Sequence, residues 1–218
     1  MNRYSFAIMV GLSIVMLLII RTGFSTEKTA VFPIEAQLNS NNNQLTLKDR
    51  EMISDTIKKR DLVVTRIFNA PVASVWKAWS DPELVMKWWG PTGFTSPTCK
   101  MNFREGGVSL VCMRAPKEFG GQDMFNTWAY KKIVPMDYII YIFDWADKDG
   151  NRINPASMGL PPDMPRDMRH TVILKDLGNG DTEMTMTEYG YLSDQLYDLS
   201  KAGLGQCLDK MAALFTKN

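Results

Sequence analysis

Residues 62–91 read LVVTRIFNAPVASVWKAWSDPELVMKWWGP, and the order of signals in this stretch decides the fold. LVVTRIF is a β-branched, apolar run suited to a strand. Asn69-Ala70-Pro71 ends it, because proline has no N–H with which to continue a ladder. Val72, Val75, Trp76 and Trp79 then recur at the spacing of one helix face. Ser80-Asp81-Pro82 closes that helix and opens another, with a capping side chain and proline at the first helical position. Gly90-Pro91 stops the second helix directly after Trp88-Trp89. The prediction is a strand, a turn and two short aromatic helices.

Further along, Arg104-Glu105-Gly106-Gly107 reads as a tight hairpin turn. Residues 129–140 run AYKKIVPMDYII and residues 170–188 run HTVILKDLGNGDTEMTMTE. With the opening motif and the tail at residues 194–215, this ordered set resembles a START-like (Bet v 1-like, SRPBCC) domain, of the kind related to the activator of the 90-kDa heat-shock protein ATPase. The resemblance implies that these segments are a strand, proline turn and strand, the last hairpin, and the long closing helix. The resemblance implies an α+β helix-grip fold: a curved antiparallel sheet wrapped around a long C-terminal helix, with two short helices after the first strand. It also implies a cavity between sheet and helix rather than a catalytic constellation, and it places Trp88 and Trp89 at the mouth of that cavity.

Alternation assigns the faces. If Glu105-Gly106 is a two-residue loop, Phe103 faces Val108, Met101 faces Leu110, and Cys99 faces Cys112. All six then point inward, with Lys100, Asn102, Arg104 and Ser109 outward. That register also makes a Cys99–Cys112 disulfide conceivable in an exported domain, with three buried free thiols as the alternative. His170, Val172 and Leu174 share a face with Met184 and Met186. On the closing helix Leu196, Leu199, Leu204, Leu208, Met211, Leu214 and Phe215 form an apolar stripe, into which Gly203 and Gly205 bring weakness and room for close packing or bending. Residues 154–165, NPASMGLPPDMP, are too proline-rich for a strand and suit an ordered, lid-like loop.

The first 60 residues differ from the rest. Residues 4–20 are almost wholly apolar, between Arg3 and Arg21. That length suits a single-pass membrane anchor or the core of a signal peptide, and Gly23-Phe24-Ser25 offers small residues for cleavage. Residues 1–21 are therefore expected to be an anchor or signal, and residues 22–60 a flexible tether. The tether holds the polar run Asn39-Ser40-Asn41-Asn42-Asn43-Gln44 and a short amphipathic segment around Leu47, Ile53 and Ile57. Residues 61–218 form the START-like domain. The expected localisation is the membrane, or outside it after cleavage.

Charge and motifs narrow the chemistry. Lys plus Arg is 25 and Asp plus Glu is 24, so no electrostatic case exists for nucleic acid. His170 is the only histidine and has no nucleophile elbow near it. Cys99, Cys112, Cys207 and His170 lack the spacing of a zinc site. Asp147-Lys148-Asp149-Gly150-Asn151 looks like a calcium loop but lacks the remaining ligand positions and reads as a turn. No catalytic residue, metal or cofactor is expected.

The sequence thus points to non-catalytic binding of a hydrophobic small molecule, lipid-like or aromatic. The expected ligand-binding residues are Trp88, Trp89, Met101, Phe103, Leu110, Trp128, Tyr141, Phe143, His170, Met186, Leu204 and Leu208. A protein-partner or co-chaperone module is the alternative that the resemblance implies. An enzyme would have to work with His170 and either Glu188 or Tyr141.

Overall fold

A computed structural model describes residues 59–161 and 164–216. The anchor or signal at residues 1–21 and nearly all of the tether at 22–60 lie outside the described residues, as do Pro162 and Asp163 of the proline-rich loop. Among the described residues no helix is long and apolar enough to cross a membrane.

The apolar run becomes β1 (Arg60–Phe68), and the two helices follow as α1 (Val72–Ser80) and α2 (Pro82–Trp88). Asp81 caps α2 by accepting from the Glu83 N–H at 2.9 Å, with Pro82 at the first helical position. Then come β2 (Cys99–Lys100), β3 (Val108–Arg114), β4 (Asp123–Val134), β5 (Tyr138–Ala146), β6 (Met168–Asp176), β7 (Thr182–Tyr191) and α3 (Asp194–Ala213). The strands form one curved antiparallel sheet in the order β1-β7-β6-β5-β4-β3-β2. Helix α3 packs against β1, β7 and α2, which is the helix-grip arrangement.

Period-two alternation holds through the central strands. Met124, Asn126, Trp128 and Tyr130 of β4, Tyr141, Phe143 and Trp145 of β5, His170 and Val172 of β6, and Met184, Met186 and Glu188 of β7 are all buried on the concave face. The helical stripe is narrower than the sequence suggests: Leu196, Leu204, Cys207, Leu208 and Met211 are buried, while Leu199, Leu214 and Phe215 are half-buried. Phe215 meets Phe68 edge-on at 5.6 Å.

The β2–β3 hairpin differs from expectation. Lys100 faces Leu110 and Cys99 faces Val111, one residue away from the register of a two-residue loop. Residues 101–107 bow out instead. The Asn102 N–H donates to the Ser109 hydroxyl at 3.0 Å, and Gly107 donates to the Arg104 carbonyl at 2.8 Å. Glu105 reaches across to accept from the Ile133 N–H at 3.0 Å, beside the bulge that interrupts β4 between Tyr130 and Lys132. A side-chain hydroxyl therefore replaces a ladder partner, and the face of β3 inverts. Ser109 and Val111 are buried on the concave face, while Val108 is exposed and Leu110 lies on the convex one.

The same shift removes the proposed disulfide. Cys99 and Cys112 are not opposite one another, and Cys99, Cys112 and Cys207 are free thiols. Burial pushes Cys99 and Cys207 up to about 11 and Cys112 up to about 12, so none is primed as a thiolate. A thiol titration in denaturant without reductant is expected to count all three cysteines, and a count of one would restore the disulfide.

Gly203 and Gly205 do not serve close packing, since a Cβ at either would meet nothing within 4 Å. Gly205→Ala is accordingly expected to raise stability by about 0.5–1 kcal/mol in urea unfolding, the ordinary helix-propensity gain.

Candidate functional site

The concave face carries a continuous row of rings. Trp79 meets Trp88 at 4.8 Å between centroids, and Trp89 meets Trp128 at 4.9 Å. Trp128 meets Tyr141 at 5.4 Å, and Tyr141 meets His170 at 5.0 Å. Phe143 stacks on the His170 ring at 5.4 Å and 6°, and Trp145 stands edge-on to Phe143 at 5.2 Å. Strand alternation explains why four of these residues, Trp128, Tyr141, Phe143 and Trp145, project to one side. Helix α1 presents Trp79 to them from above.

The polar atoms in this row divide into two sets. Trp88 Nε1 donates to the Ala78 carbonyl at 2.8 Å, Trp128 Nε1 to Asn126 Oδ1 at 2.9 Å, and Trp79 Nε1 to the Met184 sulfur at 3.3 Å. The Tyr130 and Ser109 hydroxyls bond at 2.9 Å. By contrast Trp89 Nε1, Trp145 Nε1 and His170 Nε2 are buried with no hydrogen-bond partner among the described residues.

His170 is held by its other nitrogen, Nδ1, at 2.9 Å from the Tyr141 hydroxyl. Burial lowers its pKa, against a smaller opposing pull from the Glu188 carboxylate. Glu188 pairs with His170 in the β6–β7 register and is itself buried. Its Oε2 accepts from the Tyr191 hydroxyl and, at 2.8 Å, from Ser200 on α3. Burial raises Tyr141 and Tyr191 well above the usual phenol range, with Glu188 adding to both. The concave face therefore holds a neutral imidazole and two neutral phenols around one carboxylate. Nothing here resembles a nucleophile with its base, and among the described residues no cluster of His, Cys, Asp or Glu could hold a metal ion.

The row is closed in its middle and looser toward Phe143 and Trp145. Trp128, Tyr141 and Met186 have 0% exposure, so they touch neither solvent nor a void wide enough for water. Phe143 and Met168 keep 7% and Trp145 keeps 9%. These three sit where β5 ends and β6 begins, and the chain between them is the proline-rich loop. Its two ends are clasped: Asp144 pairs with Arg152 and, at 3.7 Å, with Arg166, and Arg152 also pairs with Asp167.

Of the residues expected to bind, Trp88, Trp128, Tyr141, Phe143, His170, Met186, Leu204 and Leu208 are buried in the interior. Trp89, Met101 and Phe103 are half-buried, with Phe103 edge-on to Trp76 and Tyr130. Leu110 is separated from them; it lines a groove of about 400 Å³ on the convex face with Lys100, Thr127 and the Lys148–Gly150 turn. Sequence reasoning passed over Tyr130, Trp145, Tyr191 and Ser200. The first two continue alternations already read at Trp128 and Phe143. Nothing local marks Tyr191 and Ser200, which meet only through the fold.

A family model described as "Activator of Hsp90 ATPase homolog 1-like protein" matches residues 69–216. No curated protein matches the chain. Among solved structures it is similar to protein Ms6760 from Mycobacterium smegmatis, at 23% identity and TM-score 0.59, over 75% of this chain and 93% of that one. It is also similar to protein CV1439 from Chromobacterium violaceum, at 24% identity and TM-score 0.58, over 72% and 98%. A third likeness is to the AHSA1 protein from Silicibacter pomeroyi, at 19% identity and TM-score 0.57, over 71% and 96%. Likeness at these identities establishes the shared fold.

The depressed pKa of His170 has a consequence for stability. The unfolded chain takes up a proton as pH falls through about 6.5 and the folded chain does not, so stability is full above that pH and is lost below it, down to the folded pKa. In urea unfolding from pH 8 to pH 5, His170→Gln is expected to flatten this part of the decline. A variant whose pH profile parallels the parent would mean that the imidazole is not held neutral.

Proposed function

Because the chain belongs to the family of Activator of Hsp90 ATPase homolog 1-like proteins, which makes it a ligand-binding or activator-type module, we propose that it binds a mainly apolar small molecule between sheet and α3 without catalysing a reaction. The apolar leader at residues 4–20 would hold the module at a membrane or direct its export.

The observation that carries this reading is His170 Nε2. A neutral nitrogen buried among aromatic rings without a partner loses its water and gains nothing in return, at a cost of about 1–3 kcal/mol. Such a group repays its cost when something enters to bond it. The surrounding rings supply apolar contact area, which is the composition of a small-molecule site: many apolar side chains and few polar anchors. Entry requires the rim of Phe143, Met168 and Trp145 to give way, so the bound form is a second conformation that the ligand would favour.

A second reading, an activator-type partner module, draws on the convex face. Val63, Ile67 and Ile173 stand 55%, 57% and 46% exposed there, and β1 is an edge strand of the sheet among the described residues.

The test is native mass spectrometry on the full chain, purified gently from its own host in a detergent of known mass, followed by extraction of whatever it retains. A stoichiometric apolar adduct other than detergent is expected. A bare protein would sink the carrier reading and turn the search to partners of the convex face.

A further inference from the structure

The three buried polar atoms that lack a partner on the concave face are all of one kind. Trp89 Nε1 and Trp145 Nε1 are indole N–H groups and can only donate. His170 Nε2 joins them by elimination. The Tyr141 hydroxyl has one proton and, as its partner among the described residues, His170 Nδ1. The arrangement that satisfies both has Tyr141 donating and Nδ1 accepting. In a neutral ring this puts the proton on Nε2, which makes it a donor as well.

The fourth buried atom without a partner, Thr171 Oγ1, belongs to the opposite face of β6 and does not offset them. The three donors lie along one path of ring contacts, from Trp89 through Trp128, Tyr141, His170 and Phe143 to Trp145. Two acceptor atoms near this path are already engaged: Asn126 Oδ1 by Trp128, and Glu188 Oε2 by Tyr191 and Ser200.

We propose that the site is selective for a neutral hydrogen-bond acceptor, a carbonyl compound such as a ketone or ester on an apolar frame, over a hydrocarbon of the same shape. This inference rests on the binding function proposed above and names the class of its ligand. A bare hydrocarbon leaves every donor unsatisfied. A carboxylate would have to shed its water in a low-dielectric space, and the imidazole is neutral and offers no compensating charge. A carbonyl oxygen has two lone pairs, needs no proton, and brings no charge.

The experiment uses a matched pair of probes, 2-propionylnaphthalene and 2-propylnaphthalene, which differ only in a carbonyl against a methylene. Their binding to the full chain in micelles is measured by equilibrium dialysis against protein-free micelles. The ketone is expected to bind about fivefold tighter for each donor it satisfies. His170→Leu is expected to lower that preference. In the unaltered protein, ¹⁵N-edited spectra are expected to show the Trp89 or Trp145 indole signal, or the His170 ring nitrogen, moving with the ketone and not with the hydrocarbon. This readout does not depend on whether the variant folds. Equal affinity for the two probes, or a ketone that moves none of the three signals, would overturn the acceptor preference and leave the carrier function standing. Failure of both probes to bind would overturn the two together.

Discussion

Trp79 can lose its contact with water only if the sheet meets its ring and something nearby meets its N–H. Both needs are answered from distant parts of the chain: Trp128 and Tyr141 approach the ring from β4 and β5, and the Met184 sulfur on β7 takes the N–H. Trp88 is bound in turn to α1 through the Ala78 carbonyl and to Trp79 through ring contact. The two short helices are thereby fixed over the middle of the sheet, and their position fixes the turn that follows. Gly90 there has φ +98°, and a Cβ would crowd Met113 and Phe94 at 3.1 Å. Lys210 of α3 donates to the Gly90 carbonyl at 2.8 Å and to that of Phe94 at 3.1 Å, while Gln206 accepts from the Thr92 N–H at 2.9 Å. The closing helix is thus located through the indoles as well as by its own apolar stripe.

This dependence separates the interior into a structural part and a part with spare chemistry. Around Trp79 and Trp88 each indole N–H is engaged, as buried polar groups ordinarily are. At Trp89 and Trp145, the two ends of the ring row, it is not, and His170 Nε2 between them also lacks a partner among the described residues. Core packing alone would favour phenylalanine at those three positions, which fills the space without a stranded donor. Two of the three, at His170 and Trp145, lie beside Phe143, where exposure begins to rise, and the third, at Trp89, lies at the opposite end of the row.

How far the sequence reveals this follows from how local each signal is. The strand, the turn and the capped helices of residues 62–91 depend on neighbours a few positions away, and they appear as read. So do the inward faces of β6 and β7, because alternation carries across a regular ladder. The β2–β3 hairpin is where the reading fails. A two-residue loop was the local expectation, but Ser109 supplies a side-chain acceptor and Glu105 satisfies the β4 bulge, neither of which is a local event. One residue of slip inverts Val108, Leu110 and Ser109 together and parts Cys99 from Cys112. The donor excess was illegible for a related reason: which indoles find acceptors depends on the tertiary fold, and all six tryptophans look alike in sequence.

The remaining question is how a closed interior could admit anything, and the construction of α3 bears on it. Its first turn is tied to β1 by the Arg60–Asp194 ion pair, and its later turns by Arg66–Asp209 at 2.8 Å and by the Lys210 and Gln206 contacts. Between these ties lie Ser200, which reaches down to Glu188, and then Gly203 and Gly205 in open surroundings. Two glycines lower helix stability by about 1 kcal/mol each relative to alanine. They also leave room for the backbone to shift without a steric clash. The helix is therefore fastened at both ends and cheapest to bend in the middle, one turn from the carboxylate that faces His170. Such a bend would move the buried Leu204, which stands between the two glycines, and lies apart from the Trp79–Trp88 contact. Binding between sheet and α3, as proposed, would need a rigid anchor and a compliant covering helix, and glycine, ion pairs and indoles are distributed along the chain in that way.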